Sequence, residues 1–411
     1  MISTYAVVGI GLVQLLLVLQ LADAQEGGCS SITVRRDIAS LSPQEWNRMA
    51  NVLTRMQADG WFTRFAEIHD REFDNVHGND NFYPFHRLFI RDFEEVGQTY
   101  DPSFAIPYWD ELRDSRNPAA SGVFSSRLLG GNGFGSCVRD GLQSGWTMPF
   151  PNSHCLIRQF DRGNYIQPWY SPEYIYSIMQ RYGDMHMFRV NIEYSIHDSV
   201  HLSIGGDMAT HWSANDFIFY LHHANMDRLW DQWQSWGHAM TMDGYNQNGI
   251  PMSLNQPLPH YGDSVGSTMR RGVGRMCFAY SGSGGAHSAT DALSMVSTPL
   301  RGELESANAG LSKLPRHVLE KWFPVLARTI RPKSSANVNA TTPVSNSGAV
   351  VPDNSTDSIT ISAKNRLPYP APLTEMWISM HKYDRKVVAD LMSEARQFVD
   401  DLNNANYDSP Y

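Results

Sequence analysis

Residues 75–95 read NVHGNDNFYPFHRLFIRDFEE and place His77 and His86 at the two ends of a short loop rich in Asn, Asp and Gly. Apolar side chains then recur every three or four positions, which predicts a helix from Phe85 to Val96. A single histidine is more often a surface or hydrogen-bonded core residue than a metal ligand. This pair therefore indicates a site only if other histidines of the chain join it.

A second predicted helix, residues 191–204, carries His197 and His201 four positions apart. Both imidazoles leave the same face of the helix, one turn apart, and can therefore bind one metal ion. Glu193 lies one turn earlier on that face. The His-Glu-x-x-His pattern of zinc proteases is not met, because Asp198 stands where that motif has its glutamate.

A third predicted helix follows Ser213, which we expect to be its N-cap with Asp216 at the third helical position. This helix contains the adjacent histidines His222 and His223. His223 and Asp227 are four residues apart and share one face of the helix.

The histidines form two sets of three that helices packed in a bundle could bring together. The sets are, in chain order, His69, His77 and His86, and then His197, His201 and His223. Neutral imidazole suits copper, zinc and iron, and a set without carboxylate or thiolate ligands favours copper. The pattern therefore predicts a centre with two copper ions.

Several segments resemble the tyrosinase family of type 3 copper proteins, and most closely the secreted tyrosinases of invertebrates. The spacing of the first three histidines, with His86 inside Phe-His-Arg, is similar to the family's first copper motif. The other similar segments are DPSFAIPYWD (101–110), SIHDSVHLSIGGDM (195–208), ANDFIFYLHHANMDRLWDQWQ (214–234) and CFAY (277–280). The resemblance extends from Val34 to Tyr280.

This resemblance implies a mainly α fold, with an antiparallel four-helix core that holds the dicopper site, long irregular loops and few short strands. It implies two copper ions as cofactor and O2 as co-substrate. The implied substrates are small phenols, which are oxidised to o-quinones for pigment formation or matrix cross-linking. The family's sixth ligand is the second of the paired histidines, here His223, which leaves His222 behind the ligands.

The resemblance also assigns two candidate catalytic residues. Glu193 stands where plant relatives have a glutamate that holds a water molecule near the copper ions. Asp198 stands where monophenol-hydroxylating enzymes often have asparagine, so robust diphenol oxidation and weaker monophenol hydroxylation are expected. In the alternative interpretation, Glu193 is a solvated helix residue and Asp198 accepts a hydrogen bond from an imidazole.

Asn75 replaces a cysteine that some relatives link to a histidine, so no thioether is expected.

Two further functions are compatible with the same motifs. A dioxygen carrier of the haemocyanin kind uses the same metal site, and a structural matrix protein could keep the fold with little turnover. Carriers of the molluscan type are long multi-unit repeats, whereas this sequence contains one unit, which favours an oxidase.

Composition and the first residues bear on partners and location. The net charge of −9 and the lack of a Lys/Arg run argue against a nucleic-acid-binding protein. Residues 1–24 have an apolar core that ends in Ala-Asp-Ala, which predicts a signal peptide and a secreted, extracellular protein without stable membrane association. A membrane anchor is the alternative, because the apolar stretch is near spanning length and lacks basic residues before it. Sequons at Asn339 and Asn354 fit the secretory route.

The rest of the chain divides into two expected parts. Residues 25–283 are the expected catalytic domain. Residues 284–411 are the expected C-terminal extension, with a Ser/Asn/Thr-rich linker at 332–362 and an amphipathic terminal helix. The apolar stripe of that helix, from Val388 to Leu402, needs a partner. In many relatives such an extension covers the copper site until proteolysis, so we expect at least partial latency.

Four cysteines allow three pairings in an oxidising compartment. We favour Cys137 with Cys155, because this bond restrains a long loop predicted over residues 114–164. Cys29 then pairs with Cys277 and ties together the two ends of the catalytic domain.

Overall fold

The computed structural model describes residues 28–133, 137–281, 310–330 and 366–411. Within these ranges the fold is mainly α, as predicted, with two small sheets of two strands each. The expected signal peptide, both sequons and the 332–362 linker lie outside the described residues. In the described part of the chain, we find no helix with both the length and the apolar character needed to cross a bilayer.

The helices of the central part are α1 (Pro43–Ala58), α2 (Trp61–Val76), α3 (Phe82–Tyr100), α4 (Glu111–Asp114), α5 (Pro172–Arg181), α6 (Met185–Ile192), α7 (Asp198–Ile204), α8 (Phe217–Trp233) and α9 (Val265–Met269). A π-helical turn, Glu193–His197, joins α6 directly to α7. The C-terminal helices are α10 (Arg316–Trp322), α11 (Pro324–Thr329), α12 (Glu375–Met380) and α13 (Arg385–Asn404). The strands are β1 (Thr33–Arg35), β2 (Thr147–Met148), β3 (His154–Cys155) and β4 (Phe278–Tyr280).

Helix α3 follows the histidine loop and begins three residues before the predicted start. Pro84 consequently lies at the third helical position. The backbone N–H groups of the first turn have no partner inside a helix, so a proline there costs no hydrogen bond. Because α3 starts early, His86 lies on a fully formed helical turn.

The predicted N-cap at Ser213 was wrong. Residues 213–215 form a short 3-10 turn, and α8 begins after Asp216, whose side chain accepts a hydrogen bond from the Ile218 amide at 2.9 Å. Aspartate is as good an N-cap as serine. Asp216 is also fixed by Arg158, which donates to both of its carboxylate oxygens at 2.6 and 2.8 Å. This buried ion pair places the start of the helix that carries His223.

Both predicted disulfides are present. Cys29 is bonded to Cys277, and next to this bond β1 pairs in parallel with β4. Cys137 is bonded to Cys155 within the predicted loop, whose described residues hold only short helical turns and two-residue strands. The two ends of the central part are therefore joined both covalently and by backbone hydrogen bonds.

The apolar stripe of α13 is buried, as its spacing predicts. The C-terminal half of the stripe enters the main core, where Phe398 packs edge-on against Trp322 and Tyr174 at 5.3 and 5.2 Å between ring centres. The N-terminal half forms a smaller cluster, in which Val388 and Leu391 pack with residues of α6, the π turn and α12. We call residues 366–411 the tail, and its docking surface includes the helix that leads to His197.

Candidate metal centre

The first set of predicted ligands forms one buried group. Ring nitrogens of His69 on α2, His77 at the end of α2 and His86 on α3 lie within 4.8 Å of one another. Each Nδ1–H donates to a backbone carbonyl, at distances of 2.6 Å to His211, 3.0 Å to Phe73 and 2.7 Å to Phe82, respectively. These bonds fix the tautomer and turn each Nε2, as a lone pair, toward the middle of the group.

The second group contains four histidines rather than three. Ring nitrogens of His197, His201, His222 and His223 lie within 4.8 Å of one another. The Nδ1–H of His201 donates to the Met208 carbonyl at 2.7 Å, and its Nε2 faces Nε2 of His223 at 3.4 Å. The structure therefore brings the three predicted ligands together and adds His222 beside them.

The two groups lie side by side. The rings of His86 and His223 stack at 4.2 Å between centres, and those of His77 and His197 at 5.9 Å. The six predicted ligands thus form one buried centre, carried by α2, α3, α7 with its preceding π turn, and α8.

Burial keeps these imidazoles neutral. It lowers the pKa of His69 to about 4, against an ordinary value near 6.5. Burial, reinforced by the neighbouring imidazoles, lowers the pKa of the other five well below that value; these are His77, His86, His197, His201 and His223. Neutral imidazole is the form that binds a metal ion.

The donor set fits a pair of metal ions. Nε2 of His69 and Nε2 of His86 are 3.5 Å apart, although both Nδ1 atoms already donate to carbonyls, so two lone pairs face each other. Nε2 of His197 is buried without a hydrogen-bond partner. Buried acceptors in this arrangement are unfavourable unless a cation lies between them. All six ligand atoms are nitrogen, which favours copper.

His222 is held by a carboxylate that the sequence interpretation did not include. Its Nδ1 lies 2.6 Å from Glu111 Oε1, and Asn225 donates to the other oxygen of Glu111 at 3.1 Å. Its Nε2 is buried and has no partner. The only sequence signal for Glu111 is its position directly after the Pro-Tyr-Trp-Asp segment.

A buried ionic network ties the helices of the two groups together. Arg87, next to His86, donates to Asp227 Oδ1 at 2.5 Å, one turn after His223. Tyr280 on β4 donates to the other oxygen of Asp227 at 2.6 Å, and Arg35 on β1 donates to Tyr280 at 3.0 Å. Charge-assisted hydrogen bonds are short and directional, so they restrict the relative positions of the groups that they join. The network therefore fixes α3 against α8.

Glu193 and Asp198 are both fully buried, so the interpretation of Glu193 as a solvated residue was wrong. Glu193 accepts bonds from the Gly78 amide at 2.8 Å and from Arg189 at 3.0 Å. Asp198 Oδ1 lies 3.0 Å from Nδ1 of His197, which agrees with its interpretation as an acceptor for an imidazole. Burial, and next the carboxylate of Glu193, raise the pKa of Asp198 well above its ordinary value. Burial also raises the pKa of Glu193, although Arg189 opposes this.

Three aromatic residues of the tail reach the centre. The ring of His381 lies 5.7 Å from that of His77, and the ring of Trp377 lies 6.1 Å from that of His201. The hydroxyl of Tyr383 is 3.2 Å from Glu193 Oε1. No sequence motif marks these tail residues, because their role depends on how the tail docks.

Comparison with known proteins agrees with this geometry. The model of the common central domain of tyrosinase matches residues 59–236, which include the seven histidines of the two groups. Tyrosinase of Streptomyces antibioticus is 31% identical over 230 residues, which cover 49% of this chain and 83% of that protein. The chain belongs to the tyrosinase family.

Two further comparisons agree with this assignment. Tyrosinase ustQ of Aspergillus flavus is 29% identical over 245 residues, which cover 53% of this chain and 68% of that protein. The solved structure of a polyphenol oxidase from Thermothelomyces thermophila superposes with a TM-score of 0.54 at 22% identity, over 64% of this chain and 92% of that chain. The latter likeness shows that the fold is shared. Membership of the tyrosinase family implies a dinuclear copper centre, and the two histidine groups are where the described residues could hold it.

Proposed function

We propose that the protein is a secreted dicopper oxidase that uses O2 to oxidise o-diphenols, and more weakly to hydroxylate monophenols, to o-quinones. The observation that carries this proposal is the pair of adjacent, buried imidazole groups whose ring nitrogens converge. Two disulfides support the extracellular route. The quinone product would serve pigment formation or cross-linking of a matrix.

Each histidine group would hold one copper ion. His69, His77 and His86 would hold the first. His197, His201 and His223 would hold the second, with His222 beside them and bound to Glu111. The bound pair supplies the two electrons that dioxygen takes up and the oxidising power that the phenol meets. The chain keeps the imidazoles neutral and excludes water by burial. It orients four of the six ligands through Nδ1 bonds to backbone carbonyls and a fifth, His197, through Asp198.

A pocket of about 200 Å³ leads from the surface to the first group. Its lining includes His77, Phe73 and the polar side chains of Asn79 and Gln247. Phe73 is buried and stacks between the rings of His77 at 4.3 Å and His211 at 3.8 Å, so it forms a rigid aromatic wall beside the first group. This pocket is the proposed entrance for a small phenol.

Glu193 and Asp198 are the proposed groups that handle the substrate proton. A phenol has an ordinary pKa near 10 and binds a metal ion well only after it loses its proton. The raised pKa of both carboxyl groups makes them better proton acceptors than solvent-exposed carboxylates. Hydroxylation of a monophenol therefore depends on them more than oxidation of a catechol does.

The tail is the proposed regulator of this site. His381 forms part of the lining of the entrance pocket and is itself buried. Trp377 lies against the second group, so the tail contacts both halves of the centre. We expect the intact chain to be at least partly latent and to gain activity when it is cut between residues 332 and 362.

Copper analysis combined with a catechol assay tests the proposal. The purified protein should bind two copper ions per chain, show an absorption band on exposure to O2 and oxidise catechol after release of the tail. A protein that binds copper and O2 reversibly but oxidises no catechol would be an oxygen carrier. A protein that binds no copper would be a structural member of the family.

A further inference from the structure

A closed set of buried contacts joins the loop after His77 to the helix before His197. Gly78, the residue that follows His77, donates its amide to Glu193 Oε1 at 2.8 Å. Glu193 begins the π turn that ends at His197. One hydrogen bond therefore connects a predicted ligand of the first copper ion to the helix that carries a predicted ligand of the second.

Arg189 makes this connection rigid. Its Nη1 donates to Glu193 Oε2 at 3.0 Å, and its Nε donates to Asp80 Oδ1 at 3.1 Å. Asp80 belongs to the same loop as Gly78. The loop is therefore held twice, by Glu193 at Gly78 and by the guanidinium of Arg189 at Asp80. Its planar group reaches two carboxylates at a fixed separation, which a lysine ammonium cannot reproduce.

Asp80 is anchored on its far side as well. Its Oδ2 accepts from the Tyr245 amide at 2.8 Å and lies 2.8 Å from Nδ1 of His186. Arg189, Glu193 and Asp80 are each at most 1% exposed. Water therefore cannot replace a lost contact easily, and the loop position depends on this arrangement.

The turn that carries His197 is itself irregular. A π segment inside an α-helix widens the helix locally and is found mostly at functional sites. Ser195 within it bonds back to the Asn191 carbonyl, a contact that competes with the regular backbone ladder. The orientation of His197 is therefore set by a non-standard turn, which Glu193 and Arg189 hold from one end.

We propose that Arg189 is a positioning residue that sets the spacing between the two copper ions, by clamping the loop after His77 to the helix that carries His197. This inference rests on the proposed dicopper function. Two copper(II) ions joined by a bridging ligand couple their unpaired electrons and give no paramagnetic resonance signal, whereas separated ions each give one. Spacing can thus be observed independently of turnover.

Arg189→Lys keeps the charge but removes the two-point grip. Arg91→Lys is the matched control, because Arg91 is also a buried guanidinium with two contacts, and its partners, Glu94 and the Arg275 carbonyl, lie outside the loop and the π turn. We expect both variants to fold, with similar decreases in Tm. Only Arg189→Lys should show most of its copper as a paramagnetic signal and a roughly 10- to 100-fold lower kcat for catechol.

The outcomes separate the clamp from the proposed function. Wild-type protein that fails to bind two copper ions refutes the dicopper function itself. Wild type with a silent, coupled pair, together with an Arg189→Lys variant that is equally silent and equally active, refutes the clamp alone. A paramagnetic signal of equal size in Arg91→Lys also refutes it, because general loosening of the core would then explain the change. Should Arg189→Lys not fold, Asp80→Asn tests the same grip, since it weakens only one of the two contacts of Arg189, and a silent, active Asp80→Asn refutes the clamp.

Discussion

The contact between the Tyr383 hydroxyl of the tail and the buried carboxylates predicts how much catechol oxidase activity the intact chain gains when that hydroxyl is removed. Tyr383→Phe removes a hydroxyl that lies 3.2 Å from Glu193 and 3.4 Å from Asp198. The ring itself should stay in place, because it stacks on Tyr194 at 3.8 Å between centres. The variant therefore removes one polar group, with its two contacts, and leaves the apolar docking intact.

The size of the effect follows from that contact. A hydrogen bond to a charged group contributes about 1.5–3 kcal/mol. If the undocked tail makes no equivalent bond, the docking equilibrium shifts by about 10- to 150-fold toward the undocked state. An intact chain that is nearly all docked should gain catechol oxidase activity by up to that factor.

Initial rates of catechol oxidation, measured before and after cleavage within residues 332–362, check this prediction. Intact Tyr383→Phe should be faster than intact wild type, and the two cleaved proteins should have equal rates. Tyr369→Phe is the control, because this exposed tail tyrosine binds Asp400 of the tail itself and should leave the intact rate unchanged. If cleavage leaves the wild-type rate unchanged, the tail does not restrain the site. If cleavage activates wild type but intact Tyr383→Phe remains as slow, docking does not depend on this hydroxyl.

Three other predictions concern the centre. His223→Ala should lose about one copper ion per chain while His222→Ala retains most of its copper, as metal analysis would show; the reverse result would assign the sixth ligand to His222. Glu193→Gln should lower kcat for a monophenol more than for a catechol, and equal losses on both substrates would mean that Glu193 does not handle the phenol proton. Copper-free protein should become less stable as the pH falls from about 6.5 to about 4, because the folded-state pKa of His69 is about 4 and the unfolded chain therefore binds the proton first. This group alone accounts for up to about 3 kcal/mol, and a Tm that stays constant over that range would contradict the lowered pKa.

The sequence predicted those parts of the structure that depend on local spacing. His197 and His201 share a helix face because four residues make one turn, and Ser42 and Glu45 form the capping box that their spacing predicts, with bonds of 2.8 and 3.3 Å. The stripe on α13 is buried for the same reason. In each case a short-range periodicity decides which side chains meet.

Contacts between distant segments were not predictable in this way. The sequence around Glu193 does not show that Gly78 and Tyr383 bind its carboxylate. From the sequence alone, Glu193 could therefore equally be interpreted as a solvated residue. Ser213 and Asp216 are both good N-caps, and the choice between them depends on Arg158, which comes from a loop 58 residues earlier than Asp216. The four-membered second group likewise arises because Glu111 turns His222 toward it.

The disulfide between Cys29 and Cys277 closes the central part of the chain into a covalent loop, because the two cysteines are 248 residues apart. The β1–β4 pair lies next to this bond. Exopeptidases that shorten a polypeptide from a free end are blocked at a disulfide cross-link. A cut on the C-terminal side of Cys277 leaves this disulfide intact. Maturation by proteolysis could thus remove the tail without loosening the scaffold it had covered. In the secreted, tail-restrained oxidase proposed above, the cut that releases the tail would therefore leave the covalent frame of the central part closed.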